Sequence, residues 1–242
     1  MPNYHHPDFA NQGPAGDLIV DVCVYGGTAG GIAAAVQAAR GGLRVVVVEP
    51  AAEIGGMTAS GLGFTDIGNK DAIGGLARGF YRRMGGEYGV PEAWTFEPKA
   101  ALKVFTDLGT EAGVTVYRRQ FLASVTMSGN RIQSLETESG LVVRARVFID
   151  AGYEGDLMAK AGVSHHIGRE SNAAYGETLN GAQVFGGHQF DLPVDPYVVA
   201  GDPASGLLPG IETVAPVIGA GDSRVQAYCF RMCLTDDPAN RI

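Results

Sequence analysis

Two groups of residues in this chain have types and spacing that could do chemistry. The first is Gly26-Gly27-Thr28-Ala29-Gly30-Gly31 followed, one element later, by Glu49. Bare glycine backbone lets a phosphate approach closely. The free N–H groups at the start of a helix face an anion, and an acid at the tip of the next strand can accept hydrogen bonds from both ribose hydroxyls. Together these are the parts that hold the pyrophosphate and adenosine of a dinucleotide, a cofactor that usually carries hydride. The second group is His165, His166, Arg169 and Glu170. Removing hydride from an alcohol or amine needs a nearby base, and imidazole suits that role. Arg231 is a further candidate, for a substrate carboxylate. The competing readings are an exposed crossover loop for the first four and a structural ion pair for Arg231.

The elements that must position the glycines are legible around them. Val22 to Tyr25 is a short apolar run, as expected of a buried parallel strand. Gly26 permits a sharp turn off that strand, and Gly31 lets the next helix pack close to the sheet. Ile32 to Ala39 is nearly all small or apolar, which predicts a helix pressed on a sheet. Gly41-Gly42 stops it. Val45 to Val48 predicts the next buried strand, and Glu49 at its tip would repel a 2′-phosphate. The fingerprint is G-x-G-x-x-G, and Thr28 stands where its middle glycine belongs, so the Thr hydroxyl itself could bond a phosphate. An ordinary βαβ unit is the bland alternative.

The next segment discriminates between cofactors. Pro50 leads to a second glycine turn, Gly55-Gly56-Met57-Thr58. A nicotinamide-only enzyme has no need of it. The longer ribityl–pyrophosphate arm of FAD does, because bare N–H groups at Gly55 and Gly56 can line it. A flexible loop is the alternative, and the order of pieces favours FAD over NAD.

The stretches Tyr25-Gly-Gly-Thr-Ala-Gly-Gly-Ile-Ala33, Ile54-Gly-Gly-Met-Thr58, Gly61-Leu-Gly63 and Phe148-Ile-Asp-Ala-Gly-Tyr-Glu-Gly-Asp-Leu-Met-Ala159 resemble the FAD-dependent oxidoreductase family. Its members are relatives of the flavoprotein subunit of heterodisulfide reductase, and some carry the label "xanthan lyase". Ile73-Gly-Gly-Leu-Ala-Arg78, Phe96-Glu-Pro-Lys-Ala-Ala-Leu102, Gly168-Arg-Glu170 and Gln226 to Asp237 extend the resemblance over nearly the whole chain after about residue 19. It implies an α/β fold: a Rossmann-type, glutathione-reductase-like FAD-binding domain with an inserted β-meander, and a second substrate domain. Family members are longer than this chain, so the resemblance also implies an N-terminal portion whose substrate domain is incomplete. In this architecture the chain after the third strand passes the adenine, which makes Leu122 and Ala123 backbone candidates there. Asp150-Ala151-Gly152 turns off the last parallel strand towards the cofactor. No carboxylate or tyrosine constellation of a polysaccharide lyase is visible.

Beyond these motifs, Ala72 to Met84 and Pro98 to about Ala112 predict helices, the second with Pro98 at its first turn. Arg78, Arg82 and Arg83 are expected on a solvated face. The glycine-rich excursion from Gly85 to Thr95 holds the only tryptophan and either shapes a pocket or covers the surface. Val114 to Tyr117 is the third parallel strand. Phe121 to Met127, Arg131 to Glu138 and Leu141 to Val147 predict a meander, with Val147 to Asp150 re-entering the main sheet. Asp156 is suited to cap a helix. Val225 to Leu234 alternates as a half-buried strand. The expected domains are a flexible leader over 1–18, an FAD-binding domain over 19–164, and a crossover with partial substrate domain over 165–242.

Composition sets limits. The chain has 242 residues, 45% of them hydrophobic, which suits a globular core rather than disorder. A net charge of −8 argues against nucleic acid as a partner. Cys23, Cys229 and Cys233 are too few for an iron–sulfur cluster, which takes four, and an odd count fits a reducing compartment. Cys23 reads as a small core residue, and Cys229 and Cys233 as inward-facing on a strand. His5 and His6 lie in a polar leader and make no metal site. Neither a signal peptide nor a membrane-length apolar run is visible, so a cytoplasmic location and no membrane partner are expected. The expectation is an FAD-dependent oxidoreductase. It would take hydride from a small polar or sugar-like substrate onto flavin N5 and pass electrons to an unknown acceptor. A non-catalytic electron-transfer subunit and an NAD-dependent dehydrogenase are the alternatives.

Overall fold

The computed structural model describes residues 15–184, 192–225 and 234–240. The contacts divide the chain into two compact units; of the described residues, 15–164 and 234–240 belong to the first, and 165–184 and 192–225 to the second.

The first unit is built on a six-stranded sheet. Its strands in chain order are β1 (Gly16–Tyr25), β2 (Val45–Glu49), β3 (Thr115–Arg118), β4 (Leu122–Ser128), β5 (Arg131–Thr137) and β6 (Leu141–Asp150), and its spatial order is β3-β2-β1-β6-β5-β4. The four strands from β3 to β6 are mutually parallel, and β5 and β4 continue the sheet antiparallel. Three helices follow: α1 (Ala29–Arg40), α2 (Gly75–Glu87) and α3 (Pro98–Glu111), with short α4 (Asp156–Lys160) near the end of this unit.

The pattern of β1 and β2 explains why these strands sit in the middle. Val22 and Val24 of β1, with Val45 and Val47 of β2, pack on one face against Ile32 and Val36 of α1 and Val104 and Phe105 of α3. Cys23, Tyr25, Val46 and Val48 point to the other face, against Leu135, Leu141 and Leu157. A strand buried on both faces reads as a continuous apolar run, and these do. Cys23 is fully buried, and burial pushes its thiol up to about 12.

Several boundaries differ from those expected. β1 begins at Gly16, so Gly16 to Leu18, assigned to a leader, pair instead with Leu141 to Val143. The third meander strand and the last parallel strand are one element: β6 runs unbroken from Leu141 to Asp150, antiparallel to β5 through Val142–Arg144 and parallel to β1 along its length. No inserted strand separates the two roles, because a ten-residue strand is long enough to serve both neighbours. α2 starts at Gly75 rather than Ala72, after a 3-10 turn over Lys70–Ala72. Its arginines are not simply solvated: Arg78 and Arg82 share Glu92, and Arg83 grips Glu111 with two bonds of 2.7 and 2.6 Å. Asp156 opens α4 but does not cap it. Gly155 is the cap residue, and Met158 N–H instead donates to Asp150 Oδ2 at 2.8 Å.

The second unit contains α5 (Asn172–Tyr175) and isolated bridges at Arg169–Asp222 and Tyr197–Leu207. Arg231, Cys229, Cys233, most of the expected strand from Val225 to Leu234, and His5 and His6 lie outside the described residues.

Candidate functional site

Three loops meet at the C-terminal edge of the parallel strands, the edge at which open α/β sheets bind ligands. They are the β1–α1 turn (26–31), the turn after β2 (55–58) and the exit of β6 (150–153). Each is tied to another by a hydrogen bond. Thr28 Oγ1 donates to Ala151 O at 2.8 Å, Gly55 N–H donates to Gly27 O at 2.7 Å, and Met57 N–H donates to Tyr153 Oη at 2.8 Å.

The first turn is packed so tightly that only glycine fits at two positions. Gly26 has φ +98°, and a Cβ there would lie 2.6 Å from Gly152 N. A Cβ on Gly31 would lie 2.0 Å from Gly26 O. Gly30 is different: it is exposed, and a Cβ would meet nothing closer than Thr28 Oγ1 at 3.9 Å. Gly30 therefore leaves open space in front of the first turn of α1, where Ala29 and Gly30 N–H have no intrahelical acceptor.

Thr28 is the N-cap of α1. Its Oγ1 accepts from Gly31 N–H at 3.2 Å while its own proton goes to Ala151 O. A hydroxyl has one proton to give. A phosphate only accepts, so the expected Thr28–phosphate bond is not supported by this geometry. The residue that breaks the glycine fingerprint works instead as a clamp between α1 and the β6 exit.

Glu49 ends β2 and is buried. Gly27 N–H donates to its Oε2, and Ala51 N–H donates to its Oε1 at 2.6 Å. Burial pushes its carboxyl above the usual carboxylate range, against the pull of the two backbone N–H groups. Each oxygen keeps a second lone pair, so the acid can still accept from a ribose. Pro50 follows at the edge.

In the second turn Gly55 and Gly56 both take positive φ, +97° and +56°. Gly55 N–H is engaged by Gly27 O, so it is not bare as expected, and Met57 N–H is engaged by Tyr153 Oη. Gly56 opens the 3-10 turn Gly56–Ala59, which also holds Thr58, and its own N–H has no acceptor within that turn. A Cβ on Gly56 would lie 2.1 Å from Tyr153 Oη. Sequence reasoning missed Tyr153. Its place just past the β6 tip was readable, but its partner is 96 residues away and was not.

Of the residues assigned to adenine, Leu122 is buried with its N–H on Tyr25 Oη at 3.2 Å, and Ala123 O accepts from Lys160 Nζ at 3.1 Å. Two of the backbone groups expected to face the base are thus engaged. Asp150 also turns inward, taking Gly152 N–H on Oδ1 and the start of α4 on Oδ2.

Within the second unit His165 and His166 are exposed. Arg169 sits in a bidentate pair with Asp222, Nε to Oδ1 at 3.0 Å and Nη2 to Oδ2, and the two backbones exchange bonds of 2.9 Å. The guanidinium holds the Asp222 carboxyl down to about 2. This is a structural clamp, and it leaves Arg169 with little to offer a substrate. Glu170 lines a hollow of about 550 Å³ with His166 and Asp222. No group of three or more metal-ligating side chains occurs among the described residues, and no helix among them is long and apolar enough to cross a membrane.

Comparison with known proteins gives the family. The family described as FAD dependent oxidoreductase matches residues 21–242. Among solved structures, the chain is similar to a geranylgeranyl bacteriochlorophyll reductase-like protein from Thermoplasma acidophilum (20% identity, TM-score 0.44, covering 62% of this chain and 43% of that one). It is similar to L-proline dehydrogenase from P. horikoshii (15%, 0.49, 64% and 59%). It is also similar to L-amino acid deaminase from Proteus vulgaris (17%, 0.49, 67% and 57%). The matched part thus spans about half the length of these proteins. No curated protein matches.

Proposed function

The chain belongs to the FAD-dependent oxidoreductase family, and from that premise we propose that it is the dinucleotide-binding part of an enzyme that oxidises a small polar or sugar-like substrate. Its fold is a Rossmann-type α/β domain and its cofactor is FAD. Bound FAD would supply the two-electron acceptor, taking substrate hydride at flavin N5.

The observation that carries the assignment of residues is the open first turn of α1 beside Glu49. Gly30 leaves space in front of the helix N-terminus, where Ala29 and Gly30 N–H would hold the pyrophosphate. Gly26, Gly27 and Gly31 let the backbone pack close enough for that approach. Glu49 would accept from the ribose hydroxyls through its remaining lone pairs, with Pro50 behind it. Gly56, and beyond it Thr58, would line the arm that leads to the flavin. Gly55 and Met57 hold that turn in place through Gly27 and Tyr153. Asp150, Ala151 and Gly152 close the other side. Leu122 and Ala123 stay in the proposal as the adenine wall, through van der Waals contact rather than hydrogen bonds.

The proposal includes a small-molecule substrate and a separate electron acceptor as partners, and neither nucleic acid nor membrane. His165 and His166 remain its candidates for the base. A cytoplasmic setting and a closer relation to heterodisulfide reductase flavoproteins belong to the same reading.

The test is the visible absorption spectrum of the purified chain, with the chromophore released and identified. A flavin spectrum with FAD released on denaturation is the expected result. A colourless protein that takes up NADH and cannot be reconstituted with FAD would overturn the assignment.

A further inference from the structure

Residues 64–68, 70, 94 and 95 enclose an open hollow of about 700 Å³ in the first unit. That is a common size for a small-molecule site, roughly 300–1,000 Å³. The hollow is framed by backbone. Phe96 N–H donates to Gly63 O at 2.8 Å, Thr65 N–H donates to Trp94 O at 3.1 Å, and Phe64 and Thr95 are bridge partners between these bonds. A Cβ on Gly63 would lie 1.9 Å from Phe96 O, so the two segments approach as closely as glycine allows. Phe64 follows the Gly56–Ala59 turn by five residues, which ties the hollow in sequence to the second glycine turn.

Its lining is unusual for a solvated surface. Phe64 is 76% exposed. Trp94 is stacked on Tyr81 with ring centroids 3.9 Å apart, and Lys70 Nζ stands 5.5 Å from the Trp94 centroid. Arg78 also lies over that ring, but its Nε is engaged by Glu92 at 2.5 Å and its Nη1 by Lys70 O at 2.6 Å. Among the described residues, Lys70 has no carboxylate within ion-pair distance, whereas Arg78, Arg82, Arg83 and Lys103 on the neighbouring helices all do. A cation held only by an aromatic face, next to a bare aromatic ring, fits an anion carried on a flat apolar face.

We propose that this hollow recognises the substrate, and that it takes a small ring-bearing carboxylate, with the carboxylate on Lys70 and the ring face on Phe64. The proposal rests on the oxidoreductase reading above and narrows its substrate to an acid. Asp66 lines the same hollow and opposes such a ligand.

Trp94 is the only tryptophan, so its fluorescence reads the hollow without turnover. The purified chain with added FAD is titrated with benzoate, with glucuronate and with neutral glucose. At least one acid should give a saturable change while glucose gives none. K70A should weaken that acid roughly tenfold or more, as expected for loss of a charged hydrogen-bond partner. D66N should tighten it, and F64A should weaken it at unchanged thermal midpoint. The proposal is overturned if neither acid saturates, if glucose binds as well as the acids, or if K70A leaves affinity unchanged. Flavin retention is read separately from visible absorption. A protein that keeps FAD and binds no acid loses this proposal alone, whereas one that binds an acid through Lys70 and keeps no FAD loses the functional reading instead.

Discussion

Glu49 in the sheet unit and Asp222 in residues 165–225 are both hydrogen-bonded carboxylates, yet their environments shift them in opposite directions. Glu49 is buried at the end of a parallel strand and is satisfied by backbone N–H groups, so loss of water raises it. Asp222 stays near water and is satisfied by a guanidinium, so that charge lowers it to about 2. The contrast extends to the two regions. Around Glu49, packing of valines on both sheet faces fixes the turns, and polar groups fill what packing leaves. Around Asp222, ordered segments are short and many large apolar side chains are exposed, among them Leu192 and Val214 at 76%. There the polar clamps, Arg169–Asp222 and Asn172 with Thr178 O and Gly181 N–H, hold the described backbone together. A site built on the first kind of support is preorganised by the core. One built on the second depends on charge and pH.

The largest break in this comparison should come from Gly31→Val. A side chain there runs into Gly26 O, and overpacking at a rigid backbone contact costs about 3 kcal/mol or more. Thermal unfolding should show a large loss, together with loss of FAD retention. Gly30→Ala, one residue away with open space at its Cβ, should hold or slightly raise the midpoint, because alanine favours the helix by up to about 1 kcal/mol. Equal damage from both would mean that the turn is looser than its packing indicates.

Titration sharpens the contrast next. Asp222 is lowered from 3.8 to about 2, so its contribution is complete above 3.8 and is lost as pH falls through about 2. Glu49 is raised above 4.5, so its contribution is complete below 4.5 and is lost as pH rises through its folded value. Limited proteolysis within residues 165–225 should therefore accelerate between pH 4 and pH 2 in the wild type, while Asp222→Asn should already show the faster rate at pH 5. A pH-independent rate in both proteins would remove the clamp from the argument.

A smaller effect is expected at Thr28. Thr28→Ala removes both the N-cap and the tie to Ala151 and should cost about 1 kcal/mol, read from the denaturation midpoint. Thr28→Gly restores the usual fingerprint. It should not improve FAD affinity, because the hydroxyl's one proton is already given to Ala151 O. A gain in affinity from Thr28→Gly would show that the hydroxyl obstructs the site.

The smallest effect concerns Cys23. A thiol raised to about 12 and fully buried is almost entirely protonated at neutral pH, so thiol reagents should leave it unlabelled in the native protein and label it only on unfolding. Peptide mapping of the modified protein checks this. Rapid native labelling at Cys23 would mean that β1 opens.

Much of the first unit was legible in the sequence because local chemistry dictates it. Continuous valine runs make strands buried on both faces, Pro98 starts a helix, and Gly26 and Gly31 stand where a side chain could not fit. The order strand, glycine turn, helix, strand, acid was enough to point to a dinucleotide fold. The family match over residues 21–242 agrees with the cofactor inferred from the second glycine turn.

What only the tertiary structure decided are relations between residues far apart in the chain. Thr28 turned out to be a clamp because its acceptor, Ala151, arrives from β6. Gly55, expected to offer a bare N–H, gives it to Gly27 O instead, and Met57 N–H goes to Tyr153. β6 merged two expected strands because one ten-residue run meets β5 on one side and β1 on the other. Arg169 changed from a member of the candidate catalytic cluster to one half of an ion pair because Asp222 lies across a bridge from it. Sequence spacing fixes which backbone each residue sits on, through propensity and packing. Hydrogen-bond satisfaction is settled only when distant segments meet, because each polar group takes the partner that folding brings within reach.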